Sequence, residues 1–521
     1  TTVPGNQFQW QRNLDEGLHD DATRLVPRSV RLQGADPPCP NASEPEPPRL
    51  GRISTWGWYD DAVRCRRSVL CGQARSAKAQ AAPLASARCQ IARPSDEAMV
   101  TACPVSIGHH ARRQAKLLLT IDVIAPASRA MKTNKELRIA IVGLGARGAD
   151  VLSNVIACAP GAQIVGWVDV QADPFGKGSL TQRGIAFGER FVSPAECIAA
   201  TRPDVLFVCS PNFLHLEHIA AGLKAGIRVF SEKPVVVDLD QTWALAKLLR
   251  RYGPDRLMVG LVLRCAPLYR TVQKLIDDGM IGKVISMEAN EHLGAGHGGF
   301  LMRDWRRLRH FSSSYLTEKC CHDFDLYQAL IGSPGIRAAS FGDRSIFVPK
   351  NAGLQADPAA HAQYHGWKSN WEGASDPFAS DSDCVDHQVA LVEYANGAKL
   401  SFHSNTHCGL GQRRWLICGL NGTIEADLAT GRVRLMRIRE EAKEVPVNEG
   451  GGHYGADGQM AKALAATLLE GAPFPVPADA ALRAGLTCMA IDAALQGNTV
   501  VDAKSWFARL DQELGAGMAT G

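Results

Sequence analysis

Residues 137–148, LRIAIVGLGARG, decide the fold of this chain. A short run rich in Leu, Ile and Val leads into a glycine turn, and a helical pattern follows over residues 149–158. Within the turn, Gly143, Gly145 and Gly148 match G-x-G-x-x-G, a pattern that is informative when it lies between a strand and a helix. The stretch therefore predicts the first strand, turn and helix of a doubly wound parallel sheet.

The glycine turn also predicts a dinucleotide site. Glycines let the backbone approach a pyrophosphate, which would rest on the helix N-terminus beside Ala146 and Arg147. A second apolar run, residues 163–170, contains Asp169, which lies 21 residues beyond Gly148. A carboxylate there can accept hydrogen bonds from a ribose 2′-hydroxyl and would repel a 2′-phosphate, so NAD is favoured over NADP. Arg147 weakens that preference, and a flavin or a turn without a nucleotide are the alternatives.

Strands and helices continue to alternate beyond this unit. Buried strands are predicted at 204–212, 227–234 and 256–264, with helical patterns between them. Alternation of this kind is typical of an α/β fold with a doubly wound parallel sheet. We therefore expect a Rossmann nucleotide-binding domain over residues 131–260.

Residues 261–521 show a different pattern. Asn-Gly pairs at 396–397 and 421–422 lie between alternating apolar runs, which is typical of antiparallel hairpins. Residues 347–383 predict a long insertion that forms a lid or an interface segment. We expect a second, α+β domain with an open, mainly antiparallel sheet.

Residues 1–130 lack sustained strand or helix periodicity. They contain 15 Arg and 2 Lys against 12 Asp and Glu, a net charge of +5, whereas the whole chain carries +4. We expect an N-terminal extension of low order. It is either a basic arm or a segment upstream of a native start at Met131, and the abrupt onset of pattern after Met131 favours the second.

The bulk composition narrows the class of protein. Hydrophobic residues make up 45% and charged residues 21% of the chain, which fits a globular protein. The small net charge does not favour nucleic acid, and no apolar run approaches the roughly 20 residues of a membrane helix. The 15 cysteines are scattered, as expected of free thiols in a reducing compartment. We expect a cytoplasmic protein that binds a small molecule, and neither nucleic acid nor a membrane.

The stretch SPNFLHLEHIAAGLKAGIRVFSEKP, residues 210–234, follows the glycine turn and precedes a histidine-bearing helix. This order resembles the glucose-fructose oxidoreductase/inositol dehydrogenase family, Gfo/Idh/MocA, over about residues 137–500. The resemblance implies an NAD(P)-binding Rossmann domain and a C-terminal domain whose open sheet carries the substrate site and often oligomerises. It therefore implies an NAD(P)-dependent dehydrogenase of a sugar, inositol or related polyol, assembled as a homodimer or homotetramer.

The same resemblance implies the catalytic residues. The lysine of the family's E-K-P motif corresponds to Lys233, which would bind the reacting hydroxyl and stabilise developing negative charge. The family's aspartate and histidine, four residues apart, correspond to Glu318 and His322, and this spacing puts both on one helical face. The ordinary pKa of a histidine suits acceptance of a hydroxyl proton near pH 7. The chain departs from the family where Glu318 replaces the aspartate and where Ser312–Ser314 replace the usual glycines.

Other candidates follow from position. Near the cofactor we expect Ser210, Asn212, His215, Glu232 and Lys233, and near the substrate Arg264, Arg303, Trp305 and Arg306. A metal on Cys320, Cys321 and His322 is the rival interpretation, but adjacent residues point about 100° apart on a helix, so no metal is expected. Rival functions are an NAD-dependent glycoside-cleaving enzyme on the same fold and a non-catalytic NAD- or sugar-sensing protein.

Overall fold

The computed structural model describes residues 136–367, 376–447 and 452–515, all of which belong to one unit of the chain. The expectations for residues 1–130 lie outside these ranges, as does the middle of the predicted insertion. Within the described ranges, no helix has the length and apolar character needed to cross a membrane.

The N-terminal part of the described chain forms a parallel sheet. Its strands are β1 (Leu137–Val142), β2 (Ala162–Val168), β3 (Phe187–Phe191), β4 (Val205–Val208), β5 (Arg228–Ser231) and β6 (Leu257–Val259). Their order is β3-β2-β1-β4-β5-β6, and every neighbouring pair is parallel. The order reverses between β1 and β4, where Ile139 lies opposite Val205. The prediction of a doubly wound parallel sheet is confirmed.

Helices connect these strands. They are α1 (Ala146–Cys158), α2 (Phe175–Gln182), α3 (Pro194–Thr201), α4 (His215–Lys224) and α5 (Leu239–Tyr252). The N-terminus of α5 is capped by Asp238, whose Oδ1 accepts a hydrogen bond of 2.7 Å from the main-chain N of Gln241. Caps of this kind end the strand-to-helix loops sharply and leave the carboxyl ends of the strands free to form a site.

The C-terminal part forms a second, larger sheet. Its strands are β7 (Val284–His292), β8 (Gly335–Asp343), β9 (His387–Tyr394), β10 (Lys399–Asn405), β11 (Arg414–Gly419), β12 (Gly422–Asp427), β13 (Arg432–Arg437), β14 (Lys443–Val445) and β15 (Val501–Asp502). Their order is β14-β13-β12-β11-β7-β10-β9-β8-β15, with all pairs antiparallel except β7 and β10. The two Asn-Gly turns join β9 to β10 and β11 to β12, as predicted.

Eight helices of the described ranges accompany this sheet. They are α6 (Pro267–Asp277), α7 (Ala295–Leu301), α8 (Arg309–Ser312), α9 (Cys321–Ile331), α10 (Pro358–His365), α11 (Ala456–Glu470), α12 (Ala478–Gly497) and α13 (Lys504–Leu514). Helix α12 packs on both β8 and α9, and α6 packs on α9. The opposite face of the sheet is open, because Phe341 is 70% exposed and Leu391 is 62% exposed. The expected open, mainly antiparallel sheet is confirmed.

The C-terminal helices return to the first sheet. Helix α11 packs against α1, and α13 packs against α5. Arg228 Nη1 on β5 donates a hydrogen bond of 2.6 Å to the main-chain oxygen of Thr467 on α11. This packing brings the start of α11 close to the glycine turn that precedes α1.

Candidate active site

The glycine turn is shaped to receive a ligand at the N-terminus of α1. Gly143 has a φ of +83°, and a Cβ atom there would lie only 2.5 Å from the main-chain N of Ser210. A Cβ at Gly145 would meet open space. Because no side chain in the described ranges caps this helix end, its free N–H groups are available to a phosphate. The turn therefore fits the pyrophosphate of a dinucleotide.

Asp169 lies directly after β2, beside this turn. Its Oδ2 accepts a hydrogen bond of 2.8 Å from the main-chain N of Leu144, and its Oδ1 accepts one of 2.9 Å from the main-chain N of Gln171. Each carboxylate oxygen has more than one acceptor site, so both can still bind a ribose hydroxyl. The two bonds orient the carboxylate before a ligand arrives.

Arg147, at the start of α1, is partly exposed and pairs with two carboxylates. Its Nε lies 2.8 Å from Oε1 of Glu232, and its Nη1 lies 2.8 Å from Oδ1 of Asp457. The side chain thus connects the turn to the end of β5 and to the first turn of α11. Asp457 was not among the residues expected from the sequence.

The loops after β4 and β5 are held together by His215. Its Nδ1 lies 2.7 Å from the main-chain oxygen of Pro234, and its Nε2 lies 2.8 Å from that of Ser210. Burial lowers the pKa of His215 and brings the pKa of His218, which bonds Ser210 Oγ, to about 4. His218 is therefore neutral near pH 7. The peptide bond between Lys233 and Pro234 is cis. The role of His215 in cofactor binding stays a prediction.

Lys233 and Glu318 bring the two sheets together at one point. Lys233 Nζ donates a hydrogen bond to the main-chain oxygen of Glu318. The buried carboxylate of Glu318 accepts hydrogen bonds of 2.5 Å from Asn212 Nδ2 and 3.0 Å from Arg306 Nε. Residues that are far apart in the chain therefore share one cluster.

The helix that carries Glu318 begins with a π-helical turn, Leu316–Cys320, and continues as α9. Ser313, before the turn, has a φ of +74°, a conformation that glycine adopts more easily. The main-chain oxygen of Ser314 accepts a hydrogen bond of 2.8 Å from the main-chain N of Glu318. The sequence predicted a single helix here, and π-helical turns are frequent at functional sites.

His322 is the buried base candidate. It is 5% exposed, and its Nδ1 is buried without a hydrogen-bond partner in the described ranges. Burial, together with the positive charges of Lys233 and Arg413, holds the pKa of His322 well below its usual range. The ring is therefore neutral at pH 7 and can accept a proton. Its centroid lies 6.4 Å from that of His453, which the sequence did not single out.

Lys319 and Asp323, each one position after Glu318 and His322, form a second stripe of the same helix, and this stripe faces the core. Lys319 Nζ lies 3.1 Å from Glu291 Oε1, and Arg413 Nε lies 2.9 Å from Asp323 Oδ1. Arg413 also pairs with Glu291, which closes a buried cluster of two cations and two carboxylates. The sequence offered no signal for Arg413.

The two cysteines of this helix, Cys320 and Cys321, are buried. Burial raises the pKa of the Cys321 thiol to about 12, so it stays protonated at neutral pH. Both cysteines therefore pack in the interior of the protein.

Two of the predicted substrate residues have protein partners. Arg264 Nε and Nη2 bind both carboxylate oxygens of Asp325, at 2.6 and 2.7 Å. Arg303 Nε donates to the main-chain oxygen of Gly299 at 3.1 Å, and its Nη2 donates to that of Trp367 at 2.7 Å. Substrate contact by Arg264 and Arg303 stays a prediction, and the structure does not bring either guanidinium into contact with Lys233 or Glu318.

Arg306 and Trp305 do join the cluster, as part of an aromatic wall. The Arg306 Cζ atom lies 4.1 Å from the ring centroid of Trp305 and 4.2 Å from that of Phe300. The ring of Trp367 packs at a tilt against those of Phe300 and His297, with centroid distances of 5.1 Å and 4.4 Å. The wall therefore extends from Glu318 to the half-exposed Trp367 of the insertion.

Two family models match consecutive parts of the chain. The model of the oxidoreductase family's NAD-binding Rossmann fold covers residues 137–261, and that of its C-terminal alpha/beta domain covers residues 273–502. The chain belongs to the Gfo/Idh/MocA oxidoreductase family. The glycine turn and Asp169, at the end of β2, lie within the NAD-binding model.

Curated relatives of this family member include inositol 2-dehydrogenases. That of Corynebacterium glutamicum strain R is 24% identical over 203 residues, which is 38% of this chain and 56% of the relative. That of Rhodococcus erythropolis is 30% identical over 171 residues, which is 33% of this chain and 48% of the relative. The chain thus matches only about half the length of these relatives.

Solved structures share the fold. Levoglucosan dehydrogenase in complex with NADH and levoglucosan superposes with a TM-score of 0.58 at 16% identity, over 71% of this chain and 100% of that one. Scyllo-inositol dehydrogenase from Lactobacillus casei with NAD(H) and scyllo-inositol gives 0.54 at 18% identity, over 71% and 99%. At these identities the likeness concerns the fold alone.

Proposed function

We propose that this family member is an NAD-dependent dehydrogenase that oxidises a hydroxyl of a sugar, inositol or related polyol. One observation carries the proposal: Lys233, directly after β5, donates a hydrogen bond to the main-chain oxygen of Glu318, and a neutral, buried His322 lies on the same helix as Glu318.

NAD, when bound, supplies the acceptor for the hydride of the substrate's C–H bond. The main-chain N–H groups of residues 143–148 would hold the pyrophosphate, and Asp169 would hold the ribose. The preference for NAD over NADP is supported by Arg147, whose charge is already paired with Glu232 and Asp457. Arg190, beside Asp169, donates to the main-chain oxygen of that residue.

Three residues divide the work on the hydroxyl. The ammonium of Lys233 donates a hydrogen bond to the reacting oxygen and stabilises the negative charge that develops there. His322 takes the hydroxyl proton, because its lowered pKa keeps the ring neutral and ready to accept. Glu318 positions this pair, since its main-chain oxygen holds Lys233 while its carboxylate holds Asn212 and Arg306.

The aromatic wall supports a ring-shaped polyol as substrate. The C–H faces of a pyranose or inositol ring are apolar enough to pack on Phe300, Trp305 or Trp367. Arg306, stacked on two of these rings, keeps N–H groups that can bind hydroxyls. Contacts of both kinds are typical of small polar ligands in clefts.

Two further parts of the proposal concern the setting of the enzyme. The exposed apolar side chains of Phe341, Val389 and Leu391 support assembly through the open sheet face into a homodimer or homotetramer. The free cysteines of the described ranges support a reducing, cytoplasmic location.

The test is a screen of sugars, inositols and sugar acids with NAD and with NADP, followed by the absorbance of the reduced cofactor. We expect at least one compound to reduce NAD faster than NADP. Hydrolysis of a glycoside without net NADH would favour the glycoside-cleaving alternative. NAD binding without any redox change across the panel would contradict the proposal and favour a sensing protein.

A further inference from the structure

The proposed reaction leaves a proton in a buried place. Each oxidation would put the hydroxyl proton on His322, which is only 5% exposed, and the ring must become neutral again before the next turnover. Lys233, Lys319 and Arg413 all place positive charge close to this ring and oppose a proton there. An efficient enzyme therefore needs an acceptor that lies between His322 and the solvent.

His453 occupies such a position. Its ring centroid lies 6.4 Å from that of His322, at an interplanar angle of 49°, whereas its side chain is 42% exposed. When two ring nitrogens face each other across this separation, one water molecule can link them. The orphaned Nδ1 of His322 is a polar atom that such a water would satisfy.

The ring of His453 is held in place by charged partners. Its Nδ1 lies 2.8 Å from Oδ2 of Asp457, whose Oδ1 lies 2.8 Å from Arg147 Nη1. A carboxylate on Nδ1 orients the ring and leaves Nε2 for exchange. Arg147 in turn pairs with Glu232, whose Oε2 accepts a hydrogen bond of 3.2 Å from the main-chain N of Lys233.

The backbone at this point is unusual. His453 and Tyr454, neither of them glycine, have φ values of +47° and +56°, and Gly455 follows with +82°. A run of left-handed residues is unfavourable for L side chains and persists mainly where the surroundings hold it, often at functional sites. Helix α11 begins only after these residues, at Ala456.

We propose that His453 relays the substrate's hydroxyl proton from His322 to solvent, and that Asp457 is the positioning residue of this relay. The inference rests on the proposed function. The O–H bond of the substrate breaks and its proton binds His322. The protonated His322 then gives a proton through a bridging water to His453, which passes it to buffer, so that both rings return to neutral.

The test uses His453→Asn in the full chain with the substrate found by the screen. Asparagine tolerates a left-handed φ but cannot carry a proton at neutral pH, so the backbone is kept while the relay is lost. In weak buffer we expect kcat to fall about tenfold or more, and added imidazole buffer to restore much of it. The matched control is His387→Asn. His387 is 37% exposed and its Nδ1 lies 2.9 Å from Asp386 Oδ1, but it lies at the start of β9, whereas His453 precedes α11.

Proton release gives a second readout. A pH-indicator dye in stopped flow should show proton release together with NADH formation in the wild type, and delayed release in His453→Asn. Asp457→Asn should show the same delay more weakly, which keeps the idea testable if the first variant folds poorly. Unchanged kcat in weak buffer with simultaneous proton release would overturn the relay and leave the proposed function standing. An inactive wild type across the whole panel would overturn both.

Discussion

Two neighbouring stripes of one helix both carry titratable residues, but the two stripes differ in the ion-pair and hydrogen-bond partners of those residues. Glu318 and His322 face the site, whereas Lys319 and Asp323, each one position later, face the core. In the core stripe, Lys319 contacts Glu291 and Asp323 contacts Arg413, so every charge has an opposite partner. In the site stripe, the Nδ1 of His322 is buried without a partner in the described ranges. Glu318 also has an opposite charge, Arg306, at 3.0 Å, so the stripes differ at His322, a titratable ring whose Nδ1 has no partner in the described ranges.

The largest expected effect is the loss of activity when Lys233 is replaced, whereas replacement of the nearby Lys319 should leave activity almost unchanged. Lys233→Ala should lower kcat/KM about 10³-fold or more, because it removes the donor to the reacting oxygen and the charge that stabilises it. NAD binding should be retained, since the glycine turn is untouched. Steady-state kinetics and NAD titration by fluorescence measure the two quantities.

Lys319→Ala is the matched control for Lys233→Ala. The ammonium of Lys319 pairs with Glu291 in the core stripe. We therefore expect the variant to be less stable than the wild type but to have nearly the same activity. A fully active Lys233→Ala would contradict the proposed mechanism, and an inactive but folded Lys319→Ala would contradict the division into two stripes.

The second largest effect is expected when Arg413, the partner of the core stripe, is replaced. Arg413→Met should lower the free energy of unfolding by about 3–5 kcal/mol, because it leaves the buried carboxylates of Glu291 and Asp323 with Lys319 alone. Urea unfolding followed by circular dichroism measures this change.

Arg432→Met supplies the comparison at the surface. Arg432 and Glu444 form a pair at 2.9 Å in which both side chains are largely exposed, so its loss should cost no more than about 1 kcal/mol. If Arg413→Met and Arg432→Met lost equal stability, the buried ion cluster would stabilise the fold no more than an exposed ion pair does, which would contradict its structural role.

The site stripe could be predicted from the sequence and most of the core stripe could not. The glycine turn and the parallel strands follow from patterns that span a few residues, and the prediction of Glu318 and His322 follows from the resemblance to the family's motif. Arg413 contacts Asp323 across 90 positions of the chain, and Arg147 contacts Asp457 across 310. No local pattern encodes such pairs, because they depend on how the second sheet and α11 return to the first.

The misses among the secondary-structure elements have a similar cause. Strand β3, FGERF, lacks an apolar run because it lies at the edge of its sheet and is only partly buried. The π-helical turn before α9 was read as ordinary helix, since the two differ by one residue per hydrogen-bonded ring. His453 and Asp457 did carry a signal, their four-residue spacing at a helix start, but it is too common to be informative alone.

The smallest expected effect is a shift in the pH dependence of kcat/KM, because Lys319 of the core stripe acts on the protonation of His322 in the site stripe. Because the pKa of His322 lies well below 6.5, the neutral base is fully present at pH 7, and kcat/KM should fall only as the pH decreases below about 6.5. The same lowered pKa means that the unfolded chain takes up this proton first, so the folded state loses stability as the pH falls through this window.

Lys319→Met should move this acid limb to higher pH, because it removes one of the positive charges that oppose protonation of His322. The shift should be small, since burial is the main cause of the lowered pKa and Lys233 and Arg413 remain in place. Profiles of kcat/KM against pH for the wild type and Lys319→Met measure it. A wild-type limb at or above pH 6.5 would mean that His322 is not the base, and a shift to lower pH would mean that the core stripe acts on the site through packing and not through charge.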